Sequence, residues 1–289
     1  MARSDRSLFV PSGSKVRLPL QVKWLFDTGE KLRGANGCEI SIWELRHESD
    51  DRVLSDWARH FRGHYCADNK IDILRDGTGH SRSEYLNALK FPDTAVAPGP
   101  SIRAGDFAEI LIADYVEYLL GFWVPRTRYA DKTVRNESTK GSDVIGFKVV
   151  SAGRESADDM LLVFEIKAKL SGDSPSGRLQ DAVDDSAKDL RRRAESLNAI
   201  KQRLVAEGGS HSLGQAKRVA RFQDVVARPY KEQFGAAAVI SSDVFDRNII
   251  KLTGVGGHPA KGGVQLLVVH GVNLMSLVHE LYKRAADEA

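Results

Sequence analysis

Two segments near the start of the chain, "QVKWLFD" and "CEISIWEL", alternate apolar and polar residues. Side chains along a strand point to opposite faces in turn, so this alternation predicts two strands of an antiparallel sheet. An amphipathic helix follows over Asp51–Tyr65. The pattern then breaks at "KFPDTAVAPGPS", residues 90–101, where three prolines and a glycine interrupt any regular element. Beyond this seam the order changes. A helix is expected over 105–120, strands over 143–150 and 161–168, and a long charged helix over 179–206. Two apolar strands, 236–241 and 264–270, and a closing helix, 274–286, complete the chain. Continuous apolar strands among helices predict an α/β (α+β) core from about residue 102 to the end, with residues 1–100 as an additional N-terminal α+β domain.

Composition narrows little. The 289 residues are long enough to bury a large core, and no internal repeat or low-complexity block is present. The net charge of +3 is small against 42 basic and 39 acidic residues, so a nucleic-acid site has to come from local clustering. Cys38 and Cys66 are far apart and form no metal-type pair, as expected of reduced thiols. No apolar run reaches the length of a membrane span, and "MARSDRSLFV" lacks the apolar core of a signal peptide. The expectation is a soluble cytoplasmic protein with no membrane contact.

The stretch "LLVFEIKAKL", residues 161–170, carries the first chemistry. Its apolar start suits a strand covered on both faces, yet Glu165 and Lys167 interrupt it two residues apart. They must emerge on one face, about 6–7 Å apart along the strand. Upstream, Asp143 enters a strand behind a Gly-Ser turn, and the polar connection "SAGRESADD" lets that strand pair beside Glu165 and Lys167. Further back, Glu109 shares a helix face with Ile112, Ala113, Val116 and Leu120, where a carboxylate is costly unless something inside receives it. Asp114 and Glu117 lie on more polar arcs. Glu109, Asp143 and Glu165 cannot all stay ionised in a partly dry site without a cation. A hard divalent ion, Mg²⁺ with Mn²⁺ as substitute, resolves that conflict. It would polarise a phosphodiester and lower the pKa of a water, while Lys167 steadies developing charge. The residues thus point to metal-dependent phosphodiester hydrolysis.

This constellation resembles the PD-(D/E)xK nuclease superfamily, with Asp143 on one strand, Glu165-Ile166-Lys167 on the next, and Glu109 as a helix acid. Ser142 stands where the motif's name has proline. Gln180 resembles a glutamine of some branches, although Asp184 stands where those branches carry tyrosine. The longer segments "SIRAGDFAEILIADYVEYLLGFWVPR", "ESTKGSDVIGF", "LLVFEIKAK", "LQDAVDDSAKD" and "NLMSLVHELYKRAADEA" resemble the HamA family, nuclease subunits of the Hachiman antiphage defence system. That resemblance runs from "VLSDWARHFRGHYC" to the C-terminus. It implies a restriction-endonuclease-like core over 101–289, DNA rather than a small molecule as substrate, and a DEAD/DEAH-type helicase partner, HamB. The partner surface is expected in residues 1–100, around Trp43, Trp57 and Arg62. Beside the site, Lys169, Gln180, Lys188, Arg191 and Arg192 are candidates for nucleic-acid contact, the basic run on the long helix serving equally well as a solvated face.

Other features carry less. His60, His64 and Cys66 have the look of zinc ligands, but without a second ligand pair nearby they read as the end of an amphipathic helix. "TGVGGHPAKGG" is glycine-rich yet lacks the ending of a phosphate-binding loop. The four tryptophans read as core or interface residues. Two rivals remain at this point: a stand-alone restriction or repair nuclease, and a non-catalytic subunit of nuclease fold that binds DNA or a partner.

Overall fold

The computed structural model describes residues 18–151, 153–260 and 263–289. The decapeptide at the start lies outside the described residues, as do positions 261 and 262 of the glycine-rich loop. Six strands form one mixed sheet: β1 (Leu25–Arg33), β2 (Glu39–Leu45), β3 (Val144–Lys148), β4 (Met160–Lys169), β5 (Lys231–Ser241) and β6 (Val264–Gly271), in the spatial order β1-β2-β6-β5-β4-β3. The four central strands run parallel, and each edge strand is antiparallel to its neighbour. The helices are α1 (Asp51–Tyr65), α2 (Ile71–Arg75), α3 (Arg82–Tyr85), α4 (Gly99–Asp114), α5 (Arg178–Glu207), α6 (Gly209–Arg221), α7 (Arg247–Lys251) and α8 (Leu274–Asp287). The chain is mixed α/β, as its periodicities predict.

Alternate residues of each central strand feed two separate cores. Leu162, Phe164, Ile166, Ala237, Val239, Leu267 and Val269 pack with α1, α4 and α8 on one face. Leu161, Val163, Ala236, Ala238, Ile240, Leu266 and Val268 pack with α5 and α6 on the other. Strands buried on both faces have to be apolar throughout, which explains the runs "LLVF" and "AAAVI". One close approach needs glycine: a Cβ on Gly235 would lie 2.4 Å from the ring of Phe164, its register partner on β4.

The N-terminal segment differs from expectation. No separate core forms before residue 100 among the described residues. β2 pairs in parallel with β6, and Trp57, Phe61 and Tyr65 of α1 are buried in the same cluster as Leu277 and Tyr282 of α8. The seam is therefore a loop, residues 91–98, leading into α4 within one sheet, and both cores draw on residues from either side of it. The alternation of "CEISIWEL" matches β2, but of "QVKWLFD" only Leu25–Asp27 lie in β1, because Leu20–Trp24 form a turn of 3-10 helix; the strand that β2 joins, more than two hundred residues later, was not legible.

Candidate active site

Asp143 immediately precedes β3, and β3 pairs antiparallel with β4 so that Val144 stands opposite Phe164. The next position along brings Asp143 beside Glu165. Backbone register holds it there, because Ile166 donates its amide hydrogen to Asp143 Oδ2 at 2.8 Å. Glu165 and Lys167 share the α5 face of β4, with Nζ of Lys167 3.0 Å from Oε1 of Glu165. Lys167 is also 2.7 Å from Oδ2 of Asp185 on α5. Three of the four expected residues thus meet at the end of β4.

Glu109 reaches the group through an arginine. The Arg128 guanidinium places Nε 2.9 Å from Glu109 Oε2 and Nη2 2.9 Å from Asp143 Oδ1. It also donates to the carbonyls of Thr139 and Ser142, fixing the turn that leads into β3. Tyr129 donates its hydroxyl to Glu109 Oε2 at 2.5 Å. Glu109 is half-buried, and Asp106 and Asp114 on the same helix are fully inside, a correction to the reading of Asp114 as a more polar position; Glu117 is half-buried. The segment 122–143 crosses over α4 and supplies a cation for each: Lys132 to Asp106 at 2.6 Å, Arg128 to Glu109, and Arg126 to both Asp114 and Glu117. This matching of acids to bases was invisible to helix periodicity, which sees one element at a time.

Asp189 was missed. One helical turn beyond Asp185, it is fully buried and accepts from Ser142 Oγ at 2.8 Å, with Arg192 3.0 Å away. The spacing Asp185-x₃-Asp189 on "DDSAKDLRR" was its only signal, since it puts both acids on the stripe of α5 facing β4.

Crowded carboxylates in a dry place resist ionisation. Burial, reinforced by the charge of Asp143, pushes Glu165 up to about 8. Burial also raises Glu109 to about 8 against the pull of Arg128, and Asp189 to about 6. Lys167 keeps its proton firmly; burial opposes its charge, but Asp185 and Glu165 outweigh that cost. Oε2 of Glu165 and Oδ2 of Asp189 are buried with no hydrogen-bond donor among the described residues. Orphaned carboxylate oxygens beside mutually repelling acids suit Mg²⁺ or Mn²⁺ in their chemistry, while no three of these acids bring ligand oxygens within 4.8 Å of one another among the described residues. Arg128 already neutralises part of the cluster, and an ion between Glu109 and Asp143 would compete with it.

The residues expected to touch nucleic acid separate into two groups. Arg192 lies at the site, 3.7 Å from Glu165 Oε2. Lys169 follows Lys167 on the same strand face, Lys188 pairs with Asp185, and Arg191 is exposed on α5. Gln180 is engaged elsewhere: its side-chain amide exchanges two hydrogen bonds with the backbone of Gly254, at 2.8 and 3.3 Å. It holds the glycine-rich loop against α5. Cys66 packs into the core rather than joining His60 and His64. Trp57 and Arg62, expected at a partner surface, are inside the molecule, Arg62 bonded to Asp68 and to the carbonyl of Ala285.

The profile of one protein family, HamA, matches residues 21–285. The chain belongs to the HamA family. HamA membership ties it to Hachiman antiphage defence. The match begins earlier than the resemblance read from "VLSDWARHFRGHYC" onward, and takes in β1 and β2 as well as the site. The HamA unit is thus the whole sheet, with both segments flanking residue 100. No curated protein matches the chain. No helix among the described residues is long and apolar enough to cross a membrane.

Proposed function

We propose that the chain is a divalent-metal-dependent deoxyribonuclease built on a PD-(D/E)xK core, acting with the helicase subunit HamB in Hachiman defence. The observation that carries this reading is the convergence of Asp143, Glu165 and Lys167 at the end of β4, with a buried Glu165 oxygen that has no hydrogen-bond donor among the described residues. Asp143 and Glu165 would hold the ion, with Glu109 completing the acid cluster. When bound, the ion would polarise the phosphodiester and make an attacking water more acidic.

The protein's own part is orientation and charge. Lys167 is charged and fixed between Glu165 and Asp185, so its ammonium is preorganised toward the oxygens on which negative charge develops. The amide of Ile166 and Arg128 lock Asp143 in one rotamer. Arg192, Lys169, Lys188 and Arg191 extend a basic rim along β4 and α5 that suits a phosphate backbone. DNA as substrate and HamB as partner rest on the family.

The test is cleavage of DNA by the purified protein, alone and with a HamB helicase. Cleavage should require Mg²⁺ or Mn²⁺ and fall by about 10²–10³ in Lys167→Ala, the loss typical of one transition-state donor. A Lys167→Ala protein with native melting behaviour and undiminished cleavage would refute the assignment.

A further inference from the structure

His60 and His64 stand one turn apart on α1, and Asp114 closes α4; the three meet although Asp114 lies 54 and 50 positions from the two histidines in sequence. Their ligating atoms, Nε2, Nε2 and a carboxylate oxygen, all lie within 4.8 Å of one another. His60 Nε2 is 2.9 Å from Asp114 Oδ1 and 3.5 Å from His64 Nε2. The two imidazoles stand at 90°, so their Nε2 atoms converge without stacking. A hydrogen bond between two ring nitrogens at 3.5 Å is at the limit of what counts as one. Ligands on a tetrahedral Zn²⁺, with Zn–N of about 2.0–2.1 Å, stand about 3.3–3.4 Å apart. The observed separations bracket that edge.

The surroundings match a metal centre's supporting shell. Gln21 donates to Asp114 Oδ2 at 3.1 Å and Arg126 to Oδ1 at 2.8 Å, which fixes the carboxylate while leaving a lone pair directed at the histidines. Arg126 is itself balanced by Glu117, at 2.9 Å from Nε. Asp114, Glu117 and Arg126 therefore sum to one negative charge, which tolerates a dication. A cavity of about 460 Å³, lined among others by His60, His64, Tyr118, Asp56, Arg59 and Arg126, opens onto the group and gives an ion access and a water as further ligand.

We propose that His60, His64 and Asp114 bind one transition-metal dication of the zinc class, tying α1 to the end of α4, with its remaining position open to this cavity. Two imidazoles and one carboxylate select zinc-like ions, whereas the all-oxygen cluster at β4 selects Mg²⁺. Cys66, adjacent in sequence, is not a ligand; Asp114 takes the place that spacing alone offered to the cysteine. The two ligand sets share no residue, so the failure of either reading leaves the other intact.

The experiment uses the full-length protein, stripped with a chelator and titrated with Zn²⁺ or Co²⁺ in millimolar Mg²⁺. One equivalent should bind, Co²⁺ should give the visible ligand-field bands of a low-coordinate nitrogen–oxygen site, and Zn²⁺ should shift the imidazole nitrogen resonances of two histidines. His60→Gln, at a half-exposed position, should weaken Zn²⁺ by more than about 100-fold, beyond the 10–100-fold typical of losing only a supporting hydrogen bond. Glu165→Gln should bind Zn²⁺ as the parent does. No binding by the parent protein would overturn the proposal, as would binding that survives in His60→Gln or vanishes in Glu165→Gln. The histidine resonances decide the matter even if His60→Gln does not fold, since unshifted resonances would overturn it without any variant.

Discussion

Glu109 and Glu165, both pushed up to about 8, still hold protons near neutral pH when no metal is present. Their folded-state values lie above the ordinary 4.5, so the stability they contribute is fully present below about pH 4.5 and is lost as pH rises through about 8. Each group contributes up to about 1.4 kcal/mol per pH unit inside that window. With chelator present, the melting temperature should therefore fall between pH 6 and pH 8.5, and Glu165→Gln should flatten the fall. Divalent ions should oppose it by stabilising the ionised carboxylates. A melting temperature that climbs with pH over this range in chelator would contradict the electrostatics described for the site. Arg128 shows why these values could not be read from residue types. Its guanidinium serves Glu109, Asp143 and the turn carbonyls together, a role set by its place over α4 and not by any motif.

At the scale of elements, α4 is the most instructive. Its carboxylates were legible as an anomaly, because Glu109 lies on an apolar stripe, but the helix proved buried nearly all round and each acid has its own cation. A purely structural acid and an acid of the candidate site on one helix can be told apart by what their removal leaves behind. Asp106→Ala would strand Lys132, whose side chain is 3% exposed, and should cost about 3–5 kcal/mol in a urea titration with little change in cleavage per folded molecule. Glu109→Gln leaves Arg128 paired with Asp143; it should cost less stability and more activity. Equal effects of the two substitutions on both measurements would show that Glu109 is structural as well. Strand β2 was legible from its period of two and β4 to β6 from their continuous apolar runs, whereas β1 runs mostly through exposed polar residues and overlaps the predicted strand only at Leu25–Asp27. Helix α6 was not legible, since the Gly208-Gly209 break starts a second helix inside a charged stretch that offers little apolar contrast. Asp189 escaped notice on similar grounds, as one acid among many on α5.

For the molecule as a whole, the sheet order matters more than the seam at residue 100. A chain cut to 101–289 would lose β1, β2 and α1–α3, bare the edge of β6 along its pairing with β2, and uncover the α4–α8 side of the core. Such a fragment should be insoluble or lack near-ultraviolet dichroism. A soluble fragment that unfolds cooperatively would show that the N-terminal strands are an accessory after all. The partner surface expected in this segment cannot be centred on Trp57 or Arg62, which are interior; any docking residues must come from the exposed positions around them.

The parallel pairing of β2 with β6 also has a consequence for synthesis. β2 leaves the ribosome about 220 residues before β6 does, which at about 5–20 residues per second is a delay of roughly 10–40 s. Throughout that interval the inner edge of β2 has no strand to pair with, and α1 lacks the α8 surface it packs on. Glu109, Asp143 and Glu165 are all made in the meantime, but the sheet that holds them in register is not closed until β6 arrives. A cell translating this chain thus carries nascent copies with Glu109, Asp143 and Glu165 already polymerised and none of them yet held in place.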